Sequence, residues 1–189
     1  MAEELNLTYT LHPIGPRTGE TKTERYTNLN PKQKIPLLQQ DNFVLSESIA
    51  ICRYLQRITD SGKIFIPQDN KSMALEDEWC SFIYGELDET SLYVMRRHYD
   101  LKEIYGDAPE VVQSCRTYFE KYLSVIENTL MKQDTLFGYN FGLADILLIT
   151  CLDWAEAYEF ILPMNVSRYH KEIKNREAYK KAFEINYRK

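Results

Sequence analysis

The stretch NPKQKIPLLQQDNFVLSESIAICRYL, residues 30–55, constrains the fold more than any other part of the chain. Residues 35–40 and 43–46 within it are rich in apolar side chains and predict two short strands joined by a tight turn. Pro36 falls in the first strand, although proline has no N–H group for the hydrogen-bond ladder of a sheet. The sequence therefore predicts a hairpin in which the proline marks an edge or a bulge.

The dipeptide Ile35-Pro36 has two interpretations. A cis bond would turn the chain sharply and present the main chain of Ile35 outward, where an extended peptide ligand can pair with it. An ordinary edge-strand proline would have no such role. The dipeptide alone favours the second interpretation.

Glu47 and Ser48 begin a predicted helix directly after the hairpin. A helix N-terminus carries N–H groups without helical partners and a partial positive charge, which favour a carboxylate ligand. The hydroxyl of Ser48 adds a hydrogen bond, and the carboxylate of Glu47 can bind an ammonium group. The pair thus fits the α-amino acid end of a ligand, although the pair alone favours a plain N-cap with an acid in the first turn.

Taken together, these motifs resemble the glutathione site of the cytosolic glutathione transferases, in particular their bacterial and theta-like members. The family pattern runs Asn-Pro-x-Gly-Lys-Val-Pro-x-Leu and then Glu-Ser-x-Ala-Ile-x-x-Tyr-Leu; this chain has NPKQKIPLL at 30–38 and ESIAICRYL at 47–55. Gln33 replaces the glycine, so the turn there is expected to differ slightly. Farther along, FGYNFGLADILL resembles the family's helix-capping box, with Gly142 at the cap and Asp145 at the acidic position.

The resemblance implies a role for each residue of this first motif. The main chain of Ile35, held by a cis bond to Pro36, would pair with the cysteinyl part of glutathione. Glu47 and Ser48 would bind its γ-glutamyl end, and Lys34 would lie near its glycyl carboxylate. Glutathione would be the co-substrate added to electrophilic small molecules, and no metal site is predicted.

The same resemblance implies an α+β two-domain fold. Residues 1–60 would form a thioredoxin-like domain, 61–71 a linker, and 72–189 an all-helical domain. The family's catalytic Tyr, Ser or Cys follows its first strand. Here residues 2–14, AEELNLTYTLHPI, are interpreted as the end of the first helix and the second strand, so the N-terminal domain is expected to be incomplete and its catalytic residue is unknown. The alternative takes 5–13 as the first strand, with Tyr9 or Thr10 catalytic.

Composition and charge limit the classes of partner and the cellular compartment that the sequence predicts. The net charge of −5 argues against nucleic acid and anionic membrane surfaces. No secretory signal is visible at the start, and the longest apolar run, 144–155, is too short to cross a bilayer. The four cysteines are far apart and lie in helix-like segments, so they are predicted to be small buried side chains. These features predict a cytoplasmic protein.

The family resemblance also predicts a homodimer. Its two-fold interface would include Arg53, Arg57 and the helix over 72–98, whose Glu76, Asp77 and Glu86 would pair with the arginines. The electrophilic substrate would lie near aromatic side chains of the helical domain. Candidates are Trp79, Tyr84 and Tyr158.

A different class of function remains open. A transferase-like fold can serve as a binding or assembly module without turnover, as in the gamma subunit of a translation elongation factor or in synthetase-associated domains. Absence of the catalytic segment favours this alternative, whereas Ile35-Pro36 and Glu47-Ser48 favour the enzyme. A cysteine-dependent peroxidase or reductase has weaker support, since only Cys52 lies near the expected site.

Overall fold

The computed structural model of the chain describes residues 1–15, 18–59 and 64–187. They form two compact units, Met1–Lys63 and Ile64–Lys189. The boundary falls within the predicted linker 61–71, whose first three residues lie outside the described part of the chain. The first unit is α+β and the second is entirely helical, which confirms the predicted fold class.

The N-terminal unit contains two helices and one hairpin. Its elements are a 3-10 turn Glu20–Lys22, α1 (Glu24–Leu29), β1 (Leu37–Gln40), β2 (Phe43–Ser46) and α2 (Ser48–Arg57). Thr23 caps α1 by accepting a 3.3 Å hydrogen bond from the main-chain N–H of Tyr26. The helix stops at Leu29, as the following Pro31 predicts.

The predicted hairpin forms, with a tight turn at residues 41 and 42. β1 and β2 pair antiparallel, with Leu37 opposite Ser46 and Gln40 opposite Phe43. Asp41, the first residue of the turn, has a φ of 52°, a conformation that aspartate tolerates. Pro36 lies just before β1 and not inside it, so the ladder loses no donor to the proline.

The strand predicted over residues 5–13 does not form. Residues 2–6 make a turn, residues 7–15 have neither helix nor strand, and 8–13 are exposed. The sheet within the described residues consists of β1 and β2 alone, and neither pairs with this segment. An alternating sequence needs a neighbouring strand to bind its main-chain groups, and the segment has none here.

The C-terminal unit is a bundle built around two long helices. Its elements are α3 (Asn70–Phe82), a π-helical segment (Ile83–Leu92), α4 (Tyr93–His98), α5 (Lys102–Tyr105), α6 (Pro109–Leu130), α7 (Leu143–Ala157), α8 (Met164–Lys174) and α9 (Glu177–Tyr187). Pro109 occupies the first turn of α6, where its missing N–H has no helical partner to lose. Asp69 caps α3 through the main-chain N–H groups of Lys71 and Ser72.

The core of this unit lies between α6, α7 and the π-helical segment. α6 contributes an apolar stripe at helical spacing, in which Cys115, Phe119, Ile126 and Leu130 are buried and the fifth member, Tyr122, is half-buried. α7 is central, but its Ile146 and Leu147 are only half-buried, so it is not enclosed on every side. Three of the cysteines are buried and Cys52 is half-buried, and all four are free thiols in helices.

The π-helical segment joins α3 to α4 and was not predicted. Two side chains bind main-chain carbonyls five residues earlier: Thr90 donates to Gly85 at 2.6 Å, and Ser91 donates to Glu86 at 2.7 Å. The wider turn therefore has side-chain partners for its carbonyl oxygens. Periodicity of apolar residues cannot distinguish this wider turn from the α-helix on either side.

None of the helices in the described ranges combines the length and the apolar character needed to cross a membrane.

Candidate functional site

The turn before β1 is held by two buried side chains. The hydroxyl of Tyr26 and the amide of Asn30 each donate a 2.7 Å hydrogen bond to the main-chain carbonyl of Lys34. Both donors are almost completely buried, so the position of this carbonyl is fixed from the interior of the N-terminal unit. The next peptide bond, Ile35-Pro36, is cis, and both of its residues are exposed.

Gln33 adopts a backbone conformation that glycine enters more readily than other residues. Its φ is 55°, in the left-handed region that glycine enters without steric cost. Its main-chain N–H donates to the carbonyl of Asn30 at 2.9 Å, and its side-chain amide donates to Thr27 at 3.3 Å. The positive φ of Gln33 has an energetic cost, because a residue with a side chain enters the left-handed region less readily than glycine does.

Glu47 and Ser48 lie at the start of α2, and both are exposed. Glu47 is the N-cap residue with a φ of 75°, and its side chain makes no capping hydrogen bond. Its carboxylate instead lies 2.5 Å from the ammonium group of Lys32. Ser48 is the first helical residue, so its hydroxyl lies beside the N–H groups of the first turn of α2.

The Lys32–Glu47 ion pair links the two halves of the predicted site. It joins the turn that precedes Ile35-Pro36 to the N-terminus of α2 within one compact unit. The ion pair thus joins the segment that carries the exposed Ile35-Pro36 bond to the N-terminus of α2. In this structure the carboxylate of Glu47 has the ammonium group of Lys32 as its cationic partner.

The candidates for thiol chemistry are poorly suited to it. The hydroxyl of Tyr9 donates to Glu3 at 2.5 Å, and this bond, with burial, raises the pKa of the tyrosine. Thr10 is exposed in the segment without helix or strand. Burial raises the pKa of the Cys52 thiol, which lowers its thiolate fraction at neutral pH. Tyr9 and Cys52 therefore favour their protonated forms.

Asp145 has the structural role that its position predicts. Its carboxylate accepts from the main-chain N–H of Gly142 at 2.9 Å, from that of Leu136 at 3.0 Å and from the hydroxyl of Tyr169 at 2.8 Å. Burial raises the pKa of Asp145, and the three donors oppose that effect. A capping box has two reciprocal hydrogen bonds, and a glycine at the cap lacks the side chain for one of them. The bond from the main-chain N–H of Gly142 to Asp145 is the other one.

Two of the acids predicted to face a dimer partner are engaged inside the C-terminal unit. Glu76 is 0% exposed and accepts a 3.2 Å hydrogen bond from the main-chain N–H of Leu143, at the start of α7. Glu86 accepts a hydrogen bond from the hydroxyl of Tyr118. Their assignment to intersubunit pairs with arginine is therefore wrong for Glu76, which has no accessible surface, and unsupported for Glu86.

The aromatic candidates for the electrophile lie in different environments. Trp79 packs edge-on against Phe82, with ring centroids 5.9 Å apart. Tyr158 donates a 2.6 Å hydrogen bond to Asp100. Tyr84 is exposed. These contacts do not combine the three into one aromatic pocket, and their role stays a prediction.

Comparison with known proteins identifies the family. The sequence model described as glutathione S-transferase, N-terminal domain matches residues 1–58, and the one described as glutathione S-transferase, C-terminal domain matches 83–181. Glutathione S-transferase hmp2 of Hypomyces subiculosus is 31% identical over 176 residues, which are 87% of this chain and 81% of that protein. The chain belongs to the glutathione S-transferase family.

Relatives and solved structures agree with this assignment. Glutathione S-transferase theta-1 of Bos taurus is 28% identical over 153 residues, 79% of this chain, and the chain spans 63% of that relative's length. The crystal structure of poplar glutathione transferase F1 matches with a TM-score of 0.82 and 26% identity, covering 97% of this chain and 88% of that one. A glutathione transferase homolog from Lodderomyces elongisporus, with a TM-score of 0.87 and 21% identity over 98% of this chain and 90% of its own, shares the fold.

Proposed function

We propose that this protein binds glutathione in its N-terminal unit and belongs to an enzyme that conjugates glutathione to electrophilic small molecules. The observation that carries the proposal is the exposed cis Ile35-Pro36 bond linked, through the Lys32–Glu47 ion pair, to the N-terminus of α2. An exposed main-chain edge and a helix N-terminus supply the two kinds of contact that a peptide with a free α-amino acid end requires.

Each residue of the site then has a distinct role toward the ligand. The main chain of Ile35 pairs with the cysteinyl part, in the manner of a strand added to an edge. The hydroxyl of Ser48 and the first N–H groups of α2 bind the γ-glutamyl carboxylate. Glu47 binds the α-ammonium group in place of Lys32, and Lys34 lies near the glycyl carboxylate.

Binding and turnover depend on different groups. The reference pKa of a thiol is about 8.5, so glutathione is mostly protonated at neutral pH unless a neighbouring group favours the thiolate. Because its pKa is raised, Tyr9 is poorly suited to favour the thiolate form of glutathione. We therefore expect Ile35, Glu47 and Ser48 to contribute to the binding of glutathione and not to the activation of its thiol.

The names of the relatives support an enzyme over a non-catalytic module, since hmp2 and theta-1 are both called glutathione S-transferases.

We also propose a homodimer that acts in the cytoplasm. α3 supports the dimer because it exposes two apolar side chains, Met73 at 41% and Leu75 at 51%. The free cysteines support the cytoplasm, where thiols stay reduced.

Calorimetric titration with glutathione tests the binding site. Replacing Ser48 with Ala should weaken binding by about 1 to 2 kcal/mol, the usual scale for a hydrogen bond to a charged group. Glu47→Gln should also weaken binding, because the ammonium group loses its ionic partner. Ser124→Ala, at an exposed serine of α6, is the matched control and should change nothing. Absence of glutathione binding by the parent chain would refute the proposed site. So would an affinity in both site variants that is unchanged from that of the parent chain.

A further inference from the structure

A cluster of three potential metal ligands lies in the C-terminal unit, apart from the proposed glutathione site. Asp153 and Glu156 come from α7, and His170 comes from α8. One ligand atom from each lies within 4.8 Å of the other two. Asp153 and Glu156 are three residues apart, so they share one face of their helix. Periodicity did not predict the site, because its third member lies on another helix.

The imidazole of His170 is the buried member of the cluster. It is 3% exposed, and its Nε2 atom lies 2.8 Å from Oδ1 of Asp153. Nδ1 makes no hydrogen bond with any residue in the described ranges. His170 also lines a cavity of about 570 Å³, together with Glu156, Ser167 and Asn175. With its proton on Nδ1, the ring would present a lone pair toward Asp153 and its N–H group toward water in the cavity.

We propose that Asp153, Glu156 and His170 form a binding site for a divalent transition-metal ion, and we assign Zn²⁺ as the ion that fits best. Zinc binds imidazole nitrogen and carboxylate oxygen at about 2.0 to 2.2 Å, which places tetrahedral ligand atoms roughly 3.3 to 3.6 Å apart. The 2.8 Å separation of Asp153 and His170 is already close to that range. The ion replaces the proton that these two side chains share, and the cavity leaves room for water as a further ligand.

Two neighbouring side chains bear on this site. The hydroxyl of Tyr179 lies 3.1 Å from both oxygens of Asp153 and orients the carboxylate, which keeps lone pairs for a metal. Such outer partners commonly hold metal-binding carboxylates in place. The ammonium group of Lys174 lies 2.7 Å from Glu156 and occupies the position of a cation. Because this ion pair is partly exposed, an entering metal ion can displace Lys174 at little cost.

A structural role is the competing explanation. The bonds among Asp153, His170 and Tyr179 join α7 to α8 and α9, and a helical bundle can use such a network without any metal. The Glu156–Lys174 ion pair also joins α7 to α8, but it is partly exposed and therefore contributes little to stability. The effect on zinc binding of replacing Glu156 or Lys174 therefore distinguishes a metal site from a purely structural network.

Titration of the full chain with zinc, after dialysis against a chelator, tests the proposal. We expect one zinc ion per chain by calorimetry and a rise in the thermal unfolding midpoint on adding zinc. Glu156→Gln and His170→Gln should weaken binding by about tenfold to a hundredfold. Lys174→Ala should tighten it, because the competing ammonium group is gone. Cobalt should give an absorption spectrum of nitrogen and oxygen ligands, without thiolate bands.

His98→Gln and Cys52→Ser are the matched controls, since they remove other metal-binding side chains, and they should leave the affinity unchanged. His170→Gln can disturb folding, so Glu156→Gln and Lys174→Ala, which change exposed or partly exposed side chains, decide the outcome. No zinc binding by the parent chain would overturn the proposal. Undiminished affinity in Glu156→Gln would do so as well, as would loss of binding in either control.

Discussion

The ammonium group of Lys32 lies 2.5 Å from Oε1 of Glu47. This ion pair joins the turn before β1 to the start of α2. The ammonium group of Lys32 occupies the position that the proposed site assigns to the ammonium group of the ligand. Both side chains are about half exposed, so the pair is weak enough to exchange partners.

Replacing Lys32 with Met is expected to tighten glutathione binding by up to about fivefold, because an exposed ion pair contributes only about 0 to 1 kcal/mol. Glu47 would no longer have to leave Lys32 before it binds the ligand. Lys22→Met, an exposed lysine of the same unit, controls for the loss of a positive charge. Weaker binding by Lys32→Met, measured by calorimetry, would mean that Lys32 contacts the ligand directly.

Replacing Gln33 with Gly should stabilise the N-terminal unit. Gln33 has a φ of 55°, and relieving that conformation is expected to contribute about 0.5 to 1 kcal/mol, reduced by the lost bond to Thr27. Gln39→Gly, in β1, is the control and should destabilise, because glycine weakens a strand. Urea unfolding followed by circular dichroism measures both variants. A loss of stability in Gln33→Gly would show that its side-chain contact outweighs the backbone cost.

Replacing Asp145 with Ala should destabilise the C-terminal unit by about 3 kcal/mol or more, because it leaves buried donors on Gly142, Leu136 and Tyr169 without an acceptor. Both tryptophans, Trp79 and Trp154, lie in this unit, so their fluorescence during urea unfolding reports on it directly.

Asp107→Ala, an exposed residue before α6, is the control for the Asp145 variant. A small effect at Asp145 would mean that water replaces the lost acceptor.

The stability of the C-terminal unit should depend on the protonation of Asp88. Burial, with a smaller contribution from Glu89, raises the pKa of Asp88 to about 6. The folded protein therefore holds a proton that the unfolded chain releases near the ordinary pKa of an aspartate, 3.8. The contribution of this group to stability is most favourable below that value and is lost as the pH rises through about 6.

Asp88→Asn should consequently stabilise the protein at pH 7 by about 2 to 3 kcal/mol and have little effect near pH 4. Thermal unfolding at both pH values measures the difference, with Glu110→Gln, an exposed acid of α6, as the control. An equal effect of Asp88→Asn at the two pH values would contradict the raised pKa.

Replacing Leu75 with Glu should convert the proposed dimer to a monomer. Leu75 and Met73 are exposed on α3, and a charge introduced at the centre of an apolar two-fold interface is repeated in the partner. Val125→Glu, at a comparably exposed position on α6, should leave the assembly intact. Sedimentation at micromolar concentration distinguishes the two states. A parent chain that sediments only as a monomer would contradict the dimer itself.

The sequence by itself determined the features that depend on neighbouring residues. The hairpin turn at Asp41 and the helix cap formed by Gly142 and Asp145 each involve residues within a few positions of one another, and both were predicted correctly. The Ile35-Pro36 and Glu47-Ser48 motifs were recognisable for the same reason, since their backbone geometry is set locally.

Only the tertiary structure decided which distant groups meet. Glu76 reaches the N–H of Leu143 across 67 residues, and His170 bonds to Asp153 on another helix. Tyr26 binds the carbonyl of Lys34 from the interior of its unit. The predicted strand at 5–13 fails for a related reason. A strand is completed by the main chain of a neighbour, and its own alternation of side chains does not specify whether one is present.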